Sequence, residues 1–498
     1  MAQHITLTPS GLRALRTVDL RLLSYNIEMT EVTGGTFWRP YTAGQVAGTE
    51  PFEPIRDFSE IAKLMQVFEP ANLYHARLRR LAEALGPVWV RVSGSWATKT
   101  YYDFDGHTGG QAPQGFQSVL TADQWKGVLD FVKAVGAKLL VSVANCEGIH
   151  SAAQPWDPAQ TKLLFDTSRA YGVPIDAAEF MNEPNMLELS GAPHGYTAEH
   201  FARDQDLFFR FVRENYPGTL LVGPCATGDP DTMGKAGEKG AGLLAAMPHV
   251  SSEALLAGCK ERADIFSYHY YNGISERGAV MGGHWEAGQA LTEEYLSMAG
   301  TTCRGYMPLR DCCCPGAQMW VTESGDAGCG GNTWASTFLD VPRYANELGA
   351  FGTLTDGIIF HNTLCSSDYG LLNHADFSPR PNYWLALLWN RLMGETVYNT
   401  GETQREGVHL YARSRRDGKA GAVYLLINNS ASEAVTAELP CAAERYTLSA
   451  ETPRSGHALL NGIPLEAGAD GSLPTLKPSC EQAGLLTFAP VSVTFLVV

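Results

Sequence analysis

The chain has 498 residues with a formal net charge of −16, and 45% of the residues are apolar, which is typical of a large globular enzyme. It has no run of the roughly 18 uninterrupted apolar residues that a membrane helix requires, and Met1–Leu20 lacks the basic-then-apolar pattern of a signal peptide. The sequence therefore predicts no membrane partner and, as written, a cytoplasmic location, or a periplasmic or secreted one if a signal was removed. The acidic balance and the absence of a long Lys/Arg run argue against a nucleic-acid partner.

Eight short apolar runs alternate with segments of helical periodicity before residue 398. Short apolar runs of this kind are typical of parallel strands that are buried on both faces. The runs are Leu20–Glu28, Val88–Gly94, Lys138–Ala144, Asp176–Asn182, Leu220–Gly223, Ile265–Tyr270, Met319–Glu323 and Ile358–His361. The amphipathic segments between them include Ile61–Leu85, Ala122–Val135, Ala159–Tyr171, Ala198–Asn215 and Thr337–Leu348. Eight repeats of strand and helix predict an α/β fold, the (β/α)8 TIM barrel.

After a predicted helix at Tyr383–Met393, the pattern changes to alternating segments that are separated by turn residues. These segments are His409–Ser414, Ala422–Asn428, Ala434–Leu439 and Leu486–Val497. The strand-like Ile5–Pro9 is expected to pair with them. We therefore expect residues 1–18 to add a strand to a C-terminal antiparallel β-sandwich at 399–498, with the catalytic barrel at 19–398.

The eleven cysteines are an odd number and lack the spacing of a disulfide scaffold, which favours free thiols and a reducing compartment. Cys312, Cys313 and Cys314 are consecutive, as in a metal-binding cluster. No second cysteine pair or histidine pair lies at zinc-finger spacing, so a turn with free thiols before Pro315 is preferred over a structural zinc.

Polar residues close most of the predicted strands, and the active site of a TIM barrel forms at these carboxyl ends. They are Asn26, Glu28, Ser95, Asn145, Glu147, Asn182, Glu183, His269, Tyr271, Glu323, His361 and Asn362. Cleavage of a glycosidic bond requires two carboxylates, one to protonate the leaving oxygen and one to attack the anomeric carbon. Glu183 and Glu323 are the best pair, because Pro184 restricts the backbone that presents Glu183. Tyr271 or His269 is expected to keep Glu323 charged through a hydrogen bond.

Other roles were weighed for the remaining polar and aromatic side chains. His269 and His361 are possible metal ligands, but no His-x-x-x-His spacing occurs, so we expect neither metal nor cofactor. Glu179 is predicted to be a hydrogen-bonding partner inside the barrel. Stacking on sugar rings is a possible role for three tryptophans: Trp96, Trp156 and Trp285.

The strand-end motifs resemble those of the clan A glycosidases, and more narrowly glycoside hydrolase family 79, which contains the heparanases and β-glucuronidases. The main motif is Glu179–Asn185 (EFMNEPN), together with Glu323 at the end of the seventh strand. The supporting stretches are Arg91–Asp103, Val222–Pro224, Ser267–Gly273, Thr322–Ser324 followed by Gly330 and Gly331, and Ser367–Tyr369 followed by Pro381–Trp384. The resemblance covers the barrel from its second strand to its last helix, and the sandwich matches only in architecture.

The resemblance implies that Glu183 is the general acid/base and Glu323 the nucleophile. It also implies that Asn182 binds the sugar 2-hydroxyl, while Glu28 and Ser95 contact the terminal sugar.

A glycine-rich turn and a tyrosine hold the uronic carboxylate in this family, and Gly330, Gly331 and Tyr369 occupy those places. Two positions differ from heparanase-like members. Cys329 replaces the first of three glycines, and Glu28 replaces an aspartate.

The sequence thus predicts a retaining glycoside hydrolase that cleaves β-linked glucuronic acid through a covalent glycosyl-enzyme. Its expected partner is a glucuronic-acid-containing oligosaccharide, a glycosaminoglycan or a glucuronide conjugate. Alternatives are another clan A β-glycosidase, of β-xylosidase or β-galactosidase type, and a carbohydrate-binding barrel without turnover. The choice between exo and endo action stays open, since it depends on the loops at Asp229–Glu253 and Ile274–Gly316.

Overall fold

Eight parallel strands close into a barrel in the computed structural model, which describes residues 3–53, 55–228 and 248–498. The barrel strands are Leu23–Glu28, Trp89–Ser93, Lys138–Ser142, Ala177–Glu179, Leu220–Thr227, Ile265–Tyr271, Gln318–Gly325 and Ile359–His361. All eight predicted strands are present, and the eighth pairs with the first to close the barrel. The predicted (β/α)8 fold is confirmed.

The barrel is surrounded by α-helices that follow its strands. The longer helices are Ala76–Ala84, Ala122–Val135, Ala159–Ala170, Ala198–Asn215, Ser252–Ala257, Glu293–Cys313, Val341–Leu354 and Pro381–Leu392. Capping residues define where the helix Ala122–Val135 begins and ends. Thr121 and Gln124 form a capping box at its start, and Gly136 ends it in the left-handed conformation that glycine tolerates.

Shorter helices lie in the connections between the strands. The short α-helices are Met29–Thr33, Ala43–Ala47 and Ser95–Thr98. The 3₁₀ helices are Pro9–Gly11, Phe58–Leu64, Pro184–Ser190, Glu276–Gly278, Ala287–Gln289 and Phe338–Asp340.

The prediction of one helix over Ile61–Leu85 is wrong. A strand at Met65–Phe68 pairs antiparallel with Gly35–Trp38, and the helix begins only at Ala76. Pro70 follows the strand and lacks the N–H that a helix interior requires, which disfavours a single helix through this position. The resulting hairpin belongs to the long connection between the first two barrel strands. A second two-stranded unit, Thr100–Asp103 with Ser118–Thr121, follows the second strand.

Two sheets form the C-terminal part of the fold. The larger has nine strands: Arg13–Thr17, Met393–Asn399, His409–Arg415, Ala422–Asn428, Ala443–Ser449, Leu459–Leu460, Ile463–Pro464, Ser479–Glu481 and Ser492–Val497. The smaller has three: Gln3–Thr6, Val435–Leu439 and Gly484–Phe488. The predicted strand Leu486–Val497 is thus two strands in different sheets. The division of the chain into domains at residues 18 and 398 stays a prediction.

Both faces of the larger sheet are buried. Leu426 packs with Ile5 and Phe488 between the two sheets, whereas its neighbours Leu425 and Ile427 belong to the hydrophobic core of the barrel. Because successive side chains of a strand point to opposite faces, one face of the larger sheet packs against the barrel here and the other packs against the smaller sheet.

The eleven cysteines are all free thiols, as predicted. The turn predicted at Cys312–Cys314 is partly wrong, because helix Glu293–Cys313 continues through Cys313 and ends at Cys314, just before Pro315. Within the described ranges, every helix is too short or too polar to span a membrane.

Candidate active site

Glu183 and Glu323, which the sequence predicts as the catalytic pair, meet at the mouth of the barrel. A carboxylate oxygen of Glu183 and one of Glu323 lie within 4.8 Å of each other. The Nδ1 atom of His269 contacts both, at 3.0 Å from Oε1 of Glu183 and 3.5 Å from Oε2 of Glu323. The Glu183 side chain is 19% exposed and that of Glu323 only 7%, so Glu183 lies closer to solvent.

The backbone presents Glu183 in a conformation that is rare for residues other than glycine. Its φ is 46°, in the left-handed region, and Pro184 then begins a 3₁₀ helix. The Glu183 N–H donates a hydrogen bond to the carbonyl of Cys225 on the neighbouring strand, at 3.1 Å. This bond and the proline hold the residue in its unusual conformation.

Arg91, on the second barrel strand, organises the site and was missed as a functional residue by the sequence analysis. It is fully buried, and its Nη1 donates to Oε1 of Glu323 at 3.0 Å. Its Nη2 donates to Oδ1 of Asn182 at 2.8 Å, and its Nε lies 3.0 and 3.2 Å from the two oxygens of Glu179. One guanidinium therefore fixes the nucleophile candidate and the neighbour of Glu183. Glu179 is the partner inside the barrel that the sequence predicted.

The surroundings of Glu323 favour its ionised form. Burial acts to raise the pKa of Glu323, but the His269 ring, the Arg91 guanidinium and a hydrogen bond from Tyr271 outweigh burial and hold this pKa below its ordinary value. The Tyr271 hydroxyl donates to Oε2 of Glu323 at 2.8 Å. This is the hydrogen bond that the sequence analysis expected from Tyr271 or His269.

The contacts of His269 show which ring nitrogen donates to the glutamates. Nε2 lies 3.2 Å from Nη2 of Arg91, and a guanidinium can only donate hydrogen bonds. Nε2 is therefore the acceptor and Nδ1 carries the proton. That proton points to the two glutamates.

Glu28 lies beside the pair with its carboxyl group almost completely buried. Its Oε2 finds no hydrogen-bond partner among the described residues, and a Cβ placed on Gly94 would lie only 1.7 Å from it. Burial first, and then the charges of Glu323 and Glu31, raise the pKa of Glu28 well above its ordinary value. The raised pKa lets Glu28 keep its proton to higher pH than an exposed glutamate, and a protonated carboxyl group can donate a hydrogen bond.

Asn182 and Ser95 lie on the same side of the site. The Asn182 amide nitrogen is 3.4 Å from the Ser95 hydroxyl, and its oxygen accepts from Arg91. Ser95 begins the short helix that follows Gly94, so both side chains stand at the rim formed by the second and fourth strands.

The turn after Glu323 offers unpaired backbone donors. Gly330 and Gly331 both have φ of 88°, and Cys329 has φ of 63°. The N–H groups of Gly330 and Gly331 form no hydrogen bond with any described residue, although both glycines are buried. Buried N–H groups without partners are rare in folded proteins, and two in succession form a concave site for an anion.

Tyr369 completes this side of the site. Asn362 donates from Nδ2 to the hydroxyls of Tyr271 at 2.9 Å and Tyr369 at 3.2 Å. Burial, followed by the charges of Glu28 and Glu323, raises the pKa of Tyr369 well above its ordinary value. The Tyr369 hydroxyl keeps its proton, so it can donate a hydrogen bond to a ligand.

Two groups of side chains in the described ranges are close enough to hold a metal ion. One is Glu183, His269 and Glu323, and the other is Asp103, Asp105 and His107. In the first group the positive charge of Arg91 would oppose a cation, so the hydrogen-bonded arrangement described above is the better explanation.

His361, the other histidine weighed as a metal ligand, has a structural role. Nε2 of the buried His361 contacts the backbone oxygen of Tyr369 at 2.7 Å, and burial lowers the pKa of His361 to about 3. His361 thus remains neutral and supports the loop that carries Tyr369.

The aromatic and loop predictions are corrected in part. Trp156 and Trp285 are only 5% and 3% exposed and pack inside the protein, so they do not stack on a sugar. Trp96 is half-buried beside Ser95. Of the predicted cleft loop Asp229–Glu253, residues 229–247 lie outside the described residues.

No protein-family model matches the chain. Heparanase-like protein 1 from Arabidopsis thaliana is 24% identical over 86% of this chain and 84% of its own length. Heparanase from Gallus gallus is 25% identical over 82% of this chain and 84% of its own length. Baicalin-beta-D-glucuronidase from Scutellaria baicalensis is 31% identical over 36% of each protein.

Among solved structures, a 4-O-alpha-L-rhamnosyl-beta-D-glucuronidase from Fusarium oxysporum 12S aligns over 100% of both chains with a TM-score of 0.67. The two sequences are 11% identical, so this likeness concerns the fold alone. The names of the sequence relatives agree with the resemblance that the strand-end motifs indicate. The chain is accordingly a homologue of proteins named heparanase and, over about a third of its length, of a protein named baicalin-beta-D-glucuronidase.

Proposed function

We propose that this chain is a retaining glycoside hydrolase that cleaves β-linked glucuronic acid. The observation that carries the proposal is the pair Glu183 and Glu323, whose oxygens lie within 4.8 Å at the ends of the fourth and seventh strands. Retaining glycosidases hold their two carboxyl groups about 5–5.5 Å apart, whereas inverting enzymes need about 6.5–9.5 Å for an intervening water. Relatives that are named heparanase and baicalin β-glucuronidase support this substrate class.

The first chemical step forms a covalent glycosyl-enzyme. The ionised Glu323 attacks the anomeric carbon and forms a carbon–oxygen bond as the glycosidic bond breaks. Glu183 donates its proton to the departing oxygen, which leaves as an alcohol. Arg91 and Tyr271 keep the attacking carboxylate charged and oriented.

The second step restores the enzyme. Glu183, now a carboxylate, accepts a proton from water, and the resulting hydroxide attacks the anomeric carbon. The bond to Glu323 breaks, and the sugar leaves with its original configuration. His269 donates from Nδ1 to Glu183 and helps to orient this carboxylate between its two roles.

A glucuronate brings a third negative charge close to these carboxylates. The free N–H groups of Gly330 and Gly331 and the Tyr369 hydroxyl are donors that stabilise a carboxylate without adding another base. A protonated Glu28 adds no further repulsion. The site is therefore suited to a sugar that carries a carboxylate at C5.

The test is hydrolysis of 4-nitrophenyl β-glucuronide beside the β-glucoside, β-xyloside and β-galactoside, with the first-formed anomer of the product read by NMR. We expect selective release from the glucuronide and a β product. An α product would exclude retention, and preference for a neutral glycoside would identify another clan A specificity. If all four are inert, heparan and hyaluronan oligosaccharides test endo action. Inertness there, together with intact sugar binding, would indicate a binding protein.

We predict that Glu183→Ala lowers kcat/KM for methyl β-glucuronide by about 10²–10⁴, because an alkoxide is a poor leaving group without protonation. The kcat/KM for 2,4-dinitrophenyl β-glucuronide, which reports only formation of the glycosyl-enzyme, is expected to remain within about tenfold of wild type, because this leaving group needs little protonation. A series of aryl glucuronides with different leaving-group pKa values measures the change in slope. Equal losses across the series would contradict the acid/base role.

The raised pKa of Glu28 predicts that KM for a glucuronide depends on pH. Since its pKa is raised, Glu28 is protonated at low pH and ionises as the pH rises through that value, when it repels the glucuronate. We expect KM for 2,4-dinitrophenyl β-glucuronide to rise by about tenfold as the pH passes through the pKa of Glu28, which corresponds to about 1.4 kcal/mol of repulsion.

The Glu28 measurement is made in the Glu183→Ala background, so that titration of the acid/base does not contribute. Adding Glu28→Gln, which keeps an uncharged side chain of the same size, is expected to remove the rise. A rise of equal size in both proteins would assign it to another group.

A further inference from the structure

A buried cluster of Arg277, Tyr41 and Asp368 lies next to the glycine turn and has no part in the mechanism above. The three residues come from the connections after the sixth, first and eighth barrel strands, and they are 1%, 8% and 3% exposed. Nη2 of Arg277 donates to Oδ2 of Asp368 at 2.6 Å, and its Nε donates to the Tyr41 hydroxyl at 3.0 Å. The guanidinium carbon also lies 3.9 Å from the centre of the Tyr41 ring. Arg277 thus joins three separate loops.

This cluster holds the carbonyl groups of the turn. The Tyr41 hydroxyl donates to the carbonyl of Gly331 at 3.0 Å, and the Asp368 N–H donates to the carbonyl of Gly330 at 3.1 Å. The carbonyl of Cys329 accepts a hydrogen bond from the Ser275 hydroxyl at 3.1 Å. Two of the three carbonyls, those of Gly330 and Gly331, are therefore held by residues that contact Arg277.

Holding a carbonyl also orients the N–H of the same peptide unit. A peptide unit is planar and trans, so its N–H points away from its carbonyl oxygen. The carbonyl of Cys329 shares its plane with the N–H of Gly330, and the carbonyl of Gly330 shares its plane with the N–H of Gly331. The bonds from Ser275 and Asp368 consequently fix the directions of the two unpaired N–H groups. The bond from Tyr41 fixes the next peptide plane, which limits rotation of the backbone at Gly331 and so holds the end of the turn.

Arg277 also neutralises a charge. Without it, the buried Asp368 would present an uncompensated carboxylate one residue before Tyr369. A buried carboxylate in that position would repel a uronate and lower the affinity for an acidic sugar.

We propose that Arg277 is a specificity-determining positioning residue: it fixes the Gly330–Gly331 turn through Tyr41 and Asp368, so that the site discriminates in favour of sugars with a carboxylate at C5. This inference rests on the proposed glucuronidase function and extends it to residues outside the catalytic cluster. It predicts that damage to the cluster weakens recognition of the uronate carboxylate and leaves the bond-breaking machinery intact.

The test compares Arg277→Lys and Tyr41→Phe with wild type, using 4-nitrophenyl β-glucuronide and competitive inhibition by D-glucuronate and D-xylose. Tyr41→Phe keeps the ring under the guanidinium but removes the hydroxyl that bonds Gly331. We expect KM for the glucuronide and the inhibition constant of glucuronate to rise about fivefold to tenfold in Tyr41→Phe, and more in Arg277→Lys. The kcat and the inhibition by xylose should change less than twofold.

The matched control is Arg203→Lys. Arg203 joins a different loop in the same way, through the carbonyls of Ser151, Ala152 and Gln154, but does not contact the glycine turn. Its replacement should leave both inhibition constants unchanged. Thermal unfolding of each variant reports whether it is folded, and Tyr41→Phe decides the matter if Arg277→Lys does not fold.

Different results would overturn the proposed function and the role of Arg277. If wild type prefers neutral glycosides, the proposed function fails. If wild type is selective for the glucuronide, but Tyr41→Phe changes nothing or weakens glucuronate and xylose equally, the function stands and the role of Arg277 is overturned.

Discussion

Glu323→Ala is expected to reduce turnover of every β-glycoside that the enzyme cleaves by more than about a thousandfold, including aryl glycosides with good leaving groups. The reason is that no covalent glycosyl-enzyme can form without the carboxylate that attacks the anomeric carbon. Adding azide should restore cleavage of 2,4-dinitrophenyl β-glucuronide, because the small anion enters the space left by the carboxylate, attacks the anomeric carbon and displaces dinitrophenolate. The rescued product should be the α-glucuronosyl azide, which is identified by NMR.

The matched control for this variant is Glu147→Ala. Glu147 also follows a barrel strand, but it is exposed and Oε1 contacts the backbone N–H of His194 instead of the catalytic cluster. Its rates should stay within about twofold of wild type. Near-normal turnover in Glu323→Ala, or a β-configured azide product, would show that another group is the nucleophile.

The barrel was predictable because its strands are buried on both faces. Continuous apolar runs such as Lys138–Ala144 are typical of parallel strands, and eight of them leave few alternatives to a closed barrel. The hairpin formed by Gly35–Trp38 and Met65–Phe68 was not predictable in the same way. Its residues are half exposed and show no clear alternation, and only Pro70 indicated that a helix over this segment was interrupted.

The two glutamates of the candidate site were predictable from position, since they close predicted strands. Arg91 was not assigned a role because its contact with Glu323 joins residues 232 positions apart, and only the closed barrel brings them together. One signal was present in the sequence. A single arginine inside an otherwise apolar strand that is buried on both faces must be paired with a carboxylate or a carbonyl.

The cluster around Arg277 was not marked in the sequence by a charged residue inside an apolar strand. Arg277 lies in a polar loop, where an arginine is normally solvated, and its partners come from two other connections. The glycines of the turn could be recognised by resemblance, but the groups that orient their peptide planes depend on the packing of three loops.

Arg91→Met is expected to lower the free energy of unfolding by about 3–5 kcal/mol, because it leaves the buried carboxylate of Glu179 and that of Glu323 without their shared counter-charge. The surviving folded protein should also show altered catalysis. Arg91 is one of the groups that hold the pKa of Glu323 low, so its removal raises that pKa. Because Glu323 must be ionised to attack, the acid limb of the kcat/KM profile should then move to higher pH. Urea unfolding and pH profiles for 4-nitrophenyl β-glucuronide measure the two effects.

Arg413→Met is the matched control, since Arg413 is also buried but packs over the ring of Trp389, and no described carboxylate forms an ion pair with it. Burial lowers the pKa of Arg413 to about 9, which shows that its charge is poorly compensated in the folded state. Replacing it should therefore not lower the free energy of unfolding, and the acid limb should stay in place. Adding Glu179→Gln to Arg91→Met should recover part of the lost stability, because one of the two unpaired carboxylates is removed. The acid limb should not return to its wild-type position. Equal effects of the two arginine variants would mean that loss of volume, and not loss of charge pairing with Glu179 and Glu323, destabilises the barrel.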